Sequence, residues 1–233
     1  MSLEKVGDML QTGSPPTTPS PPITVPECWA CMDTGQTGGG PGNRYCDCEL
    51  GQSRQRTEWL RSSGVPTARQ NETLAAFTSR PGTAEALAAA QEAASAGTLR
   101  WLLLYGGVGN GKTHLANGIA MASIEAGKRA RVVNSLVLLS DLRAVSGTPA
   151  QSLHLRDLAT IPLLVVDDLI WATDLEARWL EEVLQRRYME KRPLVATTNR
   201  DLKELPAPLV SRFWELGRAV LNKGGDYRRG VRL

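Results

Sequence analysis

No apolar run in the 233-residue sequence reaches the length of a membrane span. Its longest, WLLLY at 101–105 and the stretch from Ile161 to Val166, fall far short of the roughly 20 residues a bilayer requires. The opening MSLEKVGDMLQTGSPP has no apolar core of the kind a secretory leader carries. Charge of one sign is also scarce. The 27 basic and 24 acidic residues leave a net +3, too little to argue for a nucleic-acid partner from bulk charge. Histidine is limited to His114 and His154, and cysteine is absent outside residues 28–48. What remains is an ordinary globular composition, 42% hydrophobic and 22% charged. The expectation is a cytosolic protein of one ordinary domain with a small appendage.

The chain divides by composition. Residues 11–26, QTGSPPTTPSPPITVP, offer too little apolar surface to offset chain entropy, so a disordered tail is expected over 1–26. Residues 27–52 hold the cysteines and many glycines. Residues 53–97 read as a helical linker, with Ala84–Ala96 its clearest helix. From 98 to 233 strands and helices alternate. LRWLLLYG (99–106), RARVVN (129–134), PLLVVDD (162–168) and PLVATTN (193–199) read as buried strands. A helix is expected from Lys112, with Leu115, Ile119, Ala122 and Ala126 on one face. A second should follow over SLVLLSDLRAV. A third opens at the capping box Thr173-x-x-Glu176 and aligns Leu175, Trp179, Leu180, Val183 and Leu184. Such alternation predicts an α/β domain, a parallel sheet flanked by helices.

The first strand runs into Gly106-x-x-x-x-Gly111-Lys112-Thr113, a full P-loop pattern. Its backbone N–H groups must turn inward to cradle phosphate oxygens, and side chains would obstruct them. The helix starting at Lys112 adds its positive end. Gly107, Val108, Gly109, Asn110, Gly111, Lys112, Thr113 and His114 are therefore the candidate nucleotide-binding stretch. Lys112 should reach the β- and γ-phosphates of ATP, and Thr113 should bind Mg²⁺. The strand ending LLVVDD would place Asp167 on the same Mg²⁺ from a strand expected beside the P-loop strand. Asp168 would orient an attacking water. The competing reading of this pair is a strand ending in a polar turn.

LLYGGVGNGKTHLA, LLVVDDL, the helix ending QRRY, ATTN and LVSRF together resemble the AAA+ ATPases. Within these, the chain is similar to replicative helicase loaders of the DnaC/DnaI type and to the related IstB-type transposition ATPases. The resemblance spans Gly64 to Arg229 and includes SGVPTARQNETLAAF at 63–77. It implies a P-loop AAA+ fold and ATP hydrolysis on a cytoplasmic, DNA-directed protein. It implies that Asn199 is the sensor-1 amide, where the residues alone also allow a helix N-cap. It implies that Arg212 is an arginine finger serving a neighbouring subunit of a homo-oligomer, where the residues alone also allow a surface charge. Arginine suits that role by its permanent charge and planar fork. The second acid is Asp168 where many AAA+ proteins have Glu, so hydrolysis should be slow. The 21 residues from Phe213 to Leu233 leave no room for a helical lid, as in the lidless loaders, and Arg228 is the sensor-2 candidate.

Cys28-x-x-Cys31 and Cys46-x-Cys48 are separated by 14 residues. Four thiolates suit tetrahedral Zn²⁺, and a module this small needs a staple; disulfides or free thiols are the alternative. No open ligand position is evident, so zinc would be structural. In the loader group the segment before the ATPase contacts the helicase, and Trp29 either joins such a contact or packs the module. Arg54, Arg56 and Arg61, and Lys223, Arg228, Arg229 and Arg232, are candidate contacts to single-stranded DNA or plain solvated charge. The leading expectation is an ATP-dependent loader of a hexameric replicative helicase onto single-stranded DNA. The rivals are an IstB-type transposition helper, a small-molecule kinase and a non-hydrolysing adaptor.

Overall fold

The computed structural model describes residues 25–38, 44–95, 100–171 and 173–229. The expected tail falls almost wholly outside these, as does Arg232.

The apolar runs form five strands: β3 (Trp101–Tyr105), β4 (Ala130–Asn134), β5 (Leu163–Asp167), β6 (Leu194–Thr198) and β7 (Gly217–Leu221). They lie in the order β4-β5-β6-β3-β7, with every neighbouring pair parallel. This corrects one expectation. The strand bearing Asp167 is not beside the P-loop strand, because β6 lies between them and pairs with both. Strand β7 was not anticipated. Only Ala219 and Val220 of its five residues are buried, and so short an apolar signal is lost without its partner.

Side-chain alternation along the strands splits the core in two. Trp101, Leu103, Leu164, Val166, Leu194 and Ala196 face one layer of helices, α4 (Ser135–Ala144), α5 (Pro149–Thr160), α6 (Asp174–Met189) and α7 (Ala207–Leu216). Leu102, Leu104, Val132, Val165 and Val195 face the other, built from α1 (Glu49–Ser62), α2 (Ala84–Ala94) and α3 (Lys112–Glu125). Each fully buried Leu or Val contributes about 1.5–3 kcal/mol, so the sheet is fixed from both sides.

On α3 the buried face is Leu115, Ala116, Ile119, Ala120 and Ile124. Ala122 is only partly buried and Ala126 is exposed beyond the helix end, which corrects the expected stripe. On α6 the capping box forms as expected and Trp179, Leu180, Val183 and Leu184 are buried, whereas Leu175, in the first turn, is 52% exposed.

Arg187 of α6 is fully buried. Its guanidinium donates to the carbonyls of Leu158 (2.8 Å), Ala159 (3.3 Å) and Ile161 (2.9 Å), and to those of Pro162 and Pro193. The arginine thereby closes the C-terminal end of α5 and fixes the points where β5 and β6 begin.

Helix α1 crosses residue 52 without a break and ends against the sheet edge. Val132 N–H donates to Ser63 O at 2.6 Å, and Arg131 Nη1 to Ser62 O at 2.7 Å, which covers the edge strand β4. Gly64, at φ +86°, follows at once; a Cβ there would meet Val132 O at 2.2 Å. Ahead of α1 lies a two-strand hairpin, β1 (Gln36–Thr37) and β2 (Arg44–Tyr45). The Cys48 side chain caps α1 by accepting from Gly51 N–H at 3.4 Å. Among the described residues no helix is long and apolar enough to cross a membrane.

Candidate functional site

At the C-terminal end of β3 the chain turns through Gly106, Gly109 and Gly111, all at positive φ, before α3 begins at Lys112. None of these positions has room for a side chain. A Cβ on Gly106 would lie 2.6 Å from Asn222 O, one on Gly109 1.9 Å from Asp226 Oδ1, and one on Gly111 2.7 Å from Phe77 Cε2. The loop lines a cavity of about 460 Å³, within the range of small-ligand sites. Val108, Gly109, Asn110, Gly111, Lys112, Thr113, His114, Asp168, Asn199 and Arg228 all line it. Gly107 is exposed at the tip of the loop, where a Cβ would meet nothing within 4 Å.

The side chains expected to act together are brought together. The Thr113 hydroxyl donates to the Asp167 carboxylate at 3.0 Å. Asn199 Nδ2 donates to Asp168 Oδ1 at 3.0 Å. Lys112 is buried and its Nζ donates to Gly106 O (2.9 Å), Gly107 O (2.6 Å) and Asn110 Oδ1 (3.1 Å). Burial pulls the Lys112 pKa down, against the pull of Asp168 and Asp167. Burial, with the charge of Asp167 beside it, pushes the Asp168 carboxyl up, against Lys112 and Asn199. His114 points its Nε2 at Thr73 O (2.9 Å) and packs edge-on to Phe77, so its ring is fixed by the segment before the P-loop.

Arg212 does not line this cavity. It sits on α7 with its guanidinium 5.2 Å from the Tyr188 ring centroid, and Tyr188 OH donates to Glu215 at 2.6 Å. Arg228 lies on the cavity wall and draws the Asp168 pKa down from there.

Three features escaped the sequence reading. Thr197 of β6 donates its hydroxyl to Asp167 Oδ1 (2.6 Å) and accepts from Asp168 N–H (3.0 Å); its position within ATTN, one strand from the acidic pair, was the available signal. Asn110 and Asn222 exchange amide bonds, Nδ2 to the other's backbone O, at 2.7 and 2.9 Å. The chain after β7 then straps the loop: Tyr227 N–H donates to Gly109 O (2.8 Å), and Arg80 lies 4.1 Å over the Tyr227 ring.

A second site lies at the far end of α1. The sulfurs of Cys28, Cys31, Cys46 and Cys48 all fall within 4.8 Å of one another, with Cys28–Cys46 and Cys31–Cys48 each at 3.7 Å. A disulfide would hold them near 2.05 Å, and all four cysteines are free. A tetrahedral ion with Zn–S bonds of about 2.3 Å sets its sulfurs about 3.8 Å apart, so this donor set fits such an ion. Burial raises the Cys31 pKa, but the Gly35 N–H and the neighbouring sulfurs outweigh it and bring it down to about 7. At Cys46 the Cys48 N–H pulls down, but burial and the same sulfurs win and push it up to about 12, so the crowded thiols hold their protons unevenly. Trp29 beside these sulfurs is 66% exposed, which removes the reading in which it packs the module.

A parallel sheet ending in this loop, with an acidic strand tip and a polar amide across from it, defines a P-loop nucleotide-binding protein of the AAA+ fold. The family model of IstB-like ATP binding proteins matches residues 51–222, and the chain belongs to that family. An ATP-binding protein in an insertion sequence of Mycobacterium tuberculosis is 29% identical over 147 residues, covering 56% of this chain and 59% of that one. The DnaC helicase loader superposes with TM-score 0.60 at 21% identity, covering 68% of this chain and 100% of that one. The replication initiator DnaA bound to AMPPCP and single-stranded DNA superposes with TM-score 0.60 at 20% identity, covering 70% and 52%. The chain spans 59% of the length of the insertion-sequence relative and 28% of the curated replication initiators it also matches.

Proposed function

We propose that the chain is an ATP-dependent loader of a hexameric replicative helicase onto single-stranded DNA. The observation that carries the ATP-dependent half is the juxtaposition of Thr113, Asp167 and Thr197 with the Asp168–Asn199 pair above the P-loop. In this reading the loop amides and Lys112 hold the triphosphate, while Thr113 and Asp167 hold Mg²⁺, which supplies charge neutralisation when bound. Asp168 and Asn199 orient the attacking water. The arm of Asp168 is one methylene shorter than that of glutamate, so turnover is slow. Arg212 lies outside the cavity of its own chain, which suits a finger offered to a neighbouring subunit; such fingers raise turnover by roughly 10³–10⁵.

The cysteine cluster, with Zn²⁺ held by Cys28, Cys31, Cys46 and Cys48, forms a rigid head on the end of α1. Its exposed Trp29 and Met32 suit a protein contact, here with the helicase. The fold shared with the DnaC loader, and with an initiator bound to single-stranded DNA, supports this reading. Membership of the IstB-like family and the insertion-sequence relative favour a second, a transposition helper acting with a transposase on duplex DNA.

Hydrolysis measured with and without single-stranded DNA, on parent and Arg212→Ala, tests the first half. Stimulation by DNA and loss of turnover with retained ATP binding are expected. Turnover equal in the two proteins would remove the finger. Offering a hexameric helicase and a transposase in separate pull-downs decides the partner, and retention of the transposase alone would replace the loader reading with the second.

A further inference from the structure

Asp168 holds an unusual backbone. Its φ is +52°, in the left-handed region that residues other than glycine, asparagine and aspartate seldom enter. The turn that follows is held from outside. From the β6 side, Thr197 supplies its hydroxyl to Asp168 N–H and its carbonyl to Leu169 N–H at 2.7 Å. From the opposite side the turn meets a single buried hydroxyl. Ser135, fully buried as the first residue of α4, donates Oγ–H to the Asp168 carbonyl and accepts from Ile170 N–H at 3.1 Å. One side chain thus ties both ends of the Asp168–Ile170 turn. It can do so because β4 pairs with β5 in a register that sets Asn134 opposite Asp167. The chain enters α4 directly beside the acidic pair. Asn134 caps that helix by accepting from Leu136 N–H at 3.1 Å, so Ser135 is fixed in place itself.

We propose that Ser135 is a positioning residue for hydrolysis: it holds Asp168 in the left-handed backbone conformation that keeps its carboxylate against Asn199 over the phosphate loop. This rests on the reading of Asp168 as the group that orients the attacking water. Ser135 does not line the nucleotide cavity, and its hydroxyl bonds the Asp168–Ile170 turn. Its removal therefore leaves nucleotide binding intact and lets the turn relax toward ordinary backbone angles, swinging the carboxylate off the water. Misplacement of a reacting group by about 1 Å costs up to roughly 100-fold in rate.

The test uses the full chain with Mg-ATP, comparing parent, Ser135→Ala, Ser135→Cys and Asp168→Asn. For Ser135→Ala, kcat falls between about 10- and 100-fold while KM and the affinity for a non-hydrolysable ATP analogue stay within about twofold of the parent. Ser135→Cys keeps the volume with a far weaker donor and falls with it, which covers the case of an alanine variant that does not fold. Asp168→Asn separates the two readings. Loss of turnover in Asp168→Asn with parental kcat in both Ser135 variants overturns the positioning role alone. Parental turnover in Asp168→Asn, or no hydrolysis by the parent, overturns the reading of Asp168 and the inference with it. Equal losses of ATP affinity and turnover in both Ser135 variants would mark Ser135 as merely structural.

Discussion

Stripping zinc should unfold the head of this protein and leave its phosphate loop untouched. Among the described residues between 25 and 48 only Cys31, Gly35 and Cys46 are buried, far too little apolar area to hold a fold against chain entropy. With Zn²⁺ on the four cysteines, as proposed, their stability comes from the ion. Apparent binding free energies of structural zinc run to about 10–16 kcal/mol at neutral pH, an excess that makes folding of the head and metal binding a single event. The geometry suits one ion per chain: sulfur pairs lie 3.7 Å apart, against about 3.8 Å for a tetrahedral four-thiolate ion. As purified, the protein should carry one zinc by atomic emission and show no fast thiol toward a chromogenic disulfide. A high-affinity chelator should release the ion and expose four fast thiols. Proteolysis should then begin ahead of α1. The affinity for ATP should not change, because α1 ends on the β4 edge, at Ser62 and Ser63, and does not line the nucleotide cavity. Four thiols reacting at once before any chelator, with no metal recovered, would refute this reasoning.

Other perturbations follow from the same geometry. Lys112→Met keeps the stem of the side chain and removes its charge; ATP should bind about 2–4 kcal/mol more weakly, or ~30- to 1,000-fold, by calorimetry, and a loss under threefold would contradict the phosphate role. Arg187→Met leaves the carbonyls of Leu158, Ala159 and Ile161 without their donor in a buried site. It should cost about 3–5 kcal/mol, a fall in Tm of roughly 6–20 °C, and a shift under 2 °C would show that the carbonyls find other donors. The raised Asp168 pKa belongs to the nucleotide-free site, so it places the acid limb of kcat/KM, which reports the free enzyme, above the ordinary carboxylate value near 3.9. That ratio should fall as pH drops through it, whereas a kcat/KM constant down to pH 4 would contradict the burial of that carboxylate. The sign for stability is opposite: the folded protein binds this proton more readily than the unfolded chain, so the cost of ionised Asp168 is relieved as pH falls toward its folded pKa.

Much of the site was legible because its parts are local. The P-loop states its geometry in eight consecutive residues, and Thr173 and Glu176 announce a helix start that forms as written. Amphipathic faces and sheet neighbours are less legible. Leu175 and Ala126 match a helical period yet lie at helix ends that reach beyond the packed layer. Strand β7 carries two buried residues and becomes a strand only where β3 offers it an edge.

Local pattern alone determined that this chain has a glycine loop opening a helix, apolar strands to carry it, and two cysteine pairs set apart, since backbone conformation and side-chain period are short-range properties. Tertiary structure alone decided that Asn110 locks to Asn222, that β6 stands between the two phosphate-site strands, and that Ser135 reaches the Asp168 turn. Those contacts join residues far apart in sequence, and strand order and register, which bring them within hydrogen-bond distance, are set by packing of the whole sheet against both helical layers.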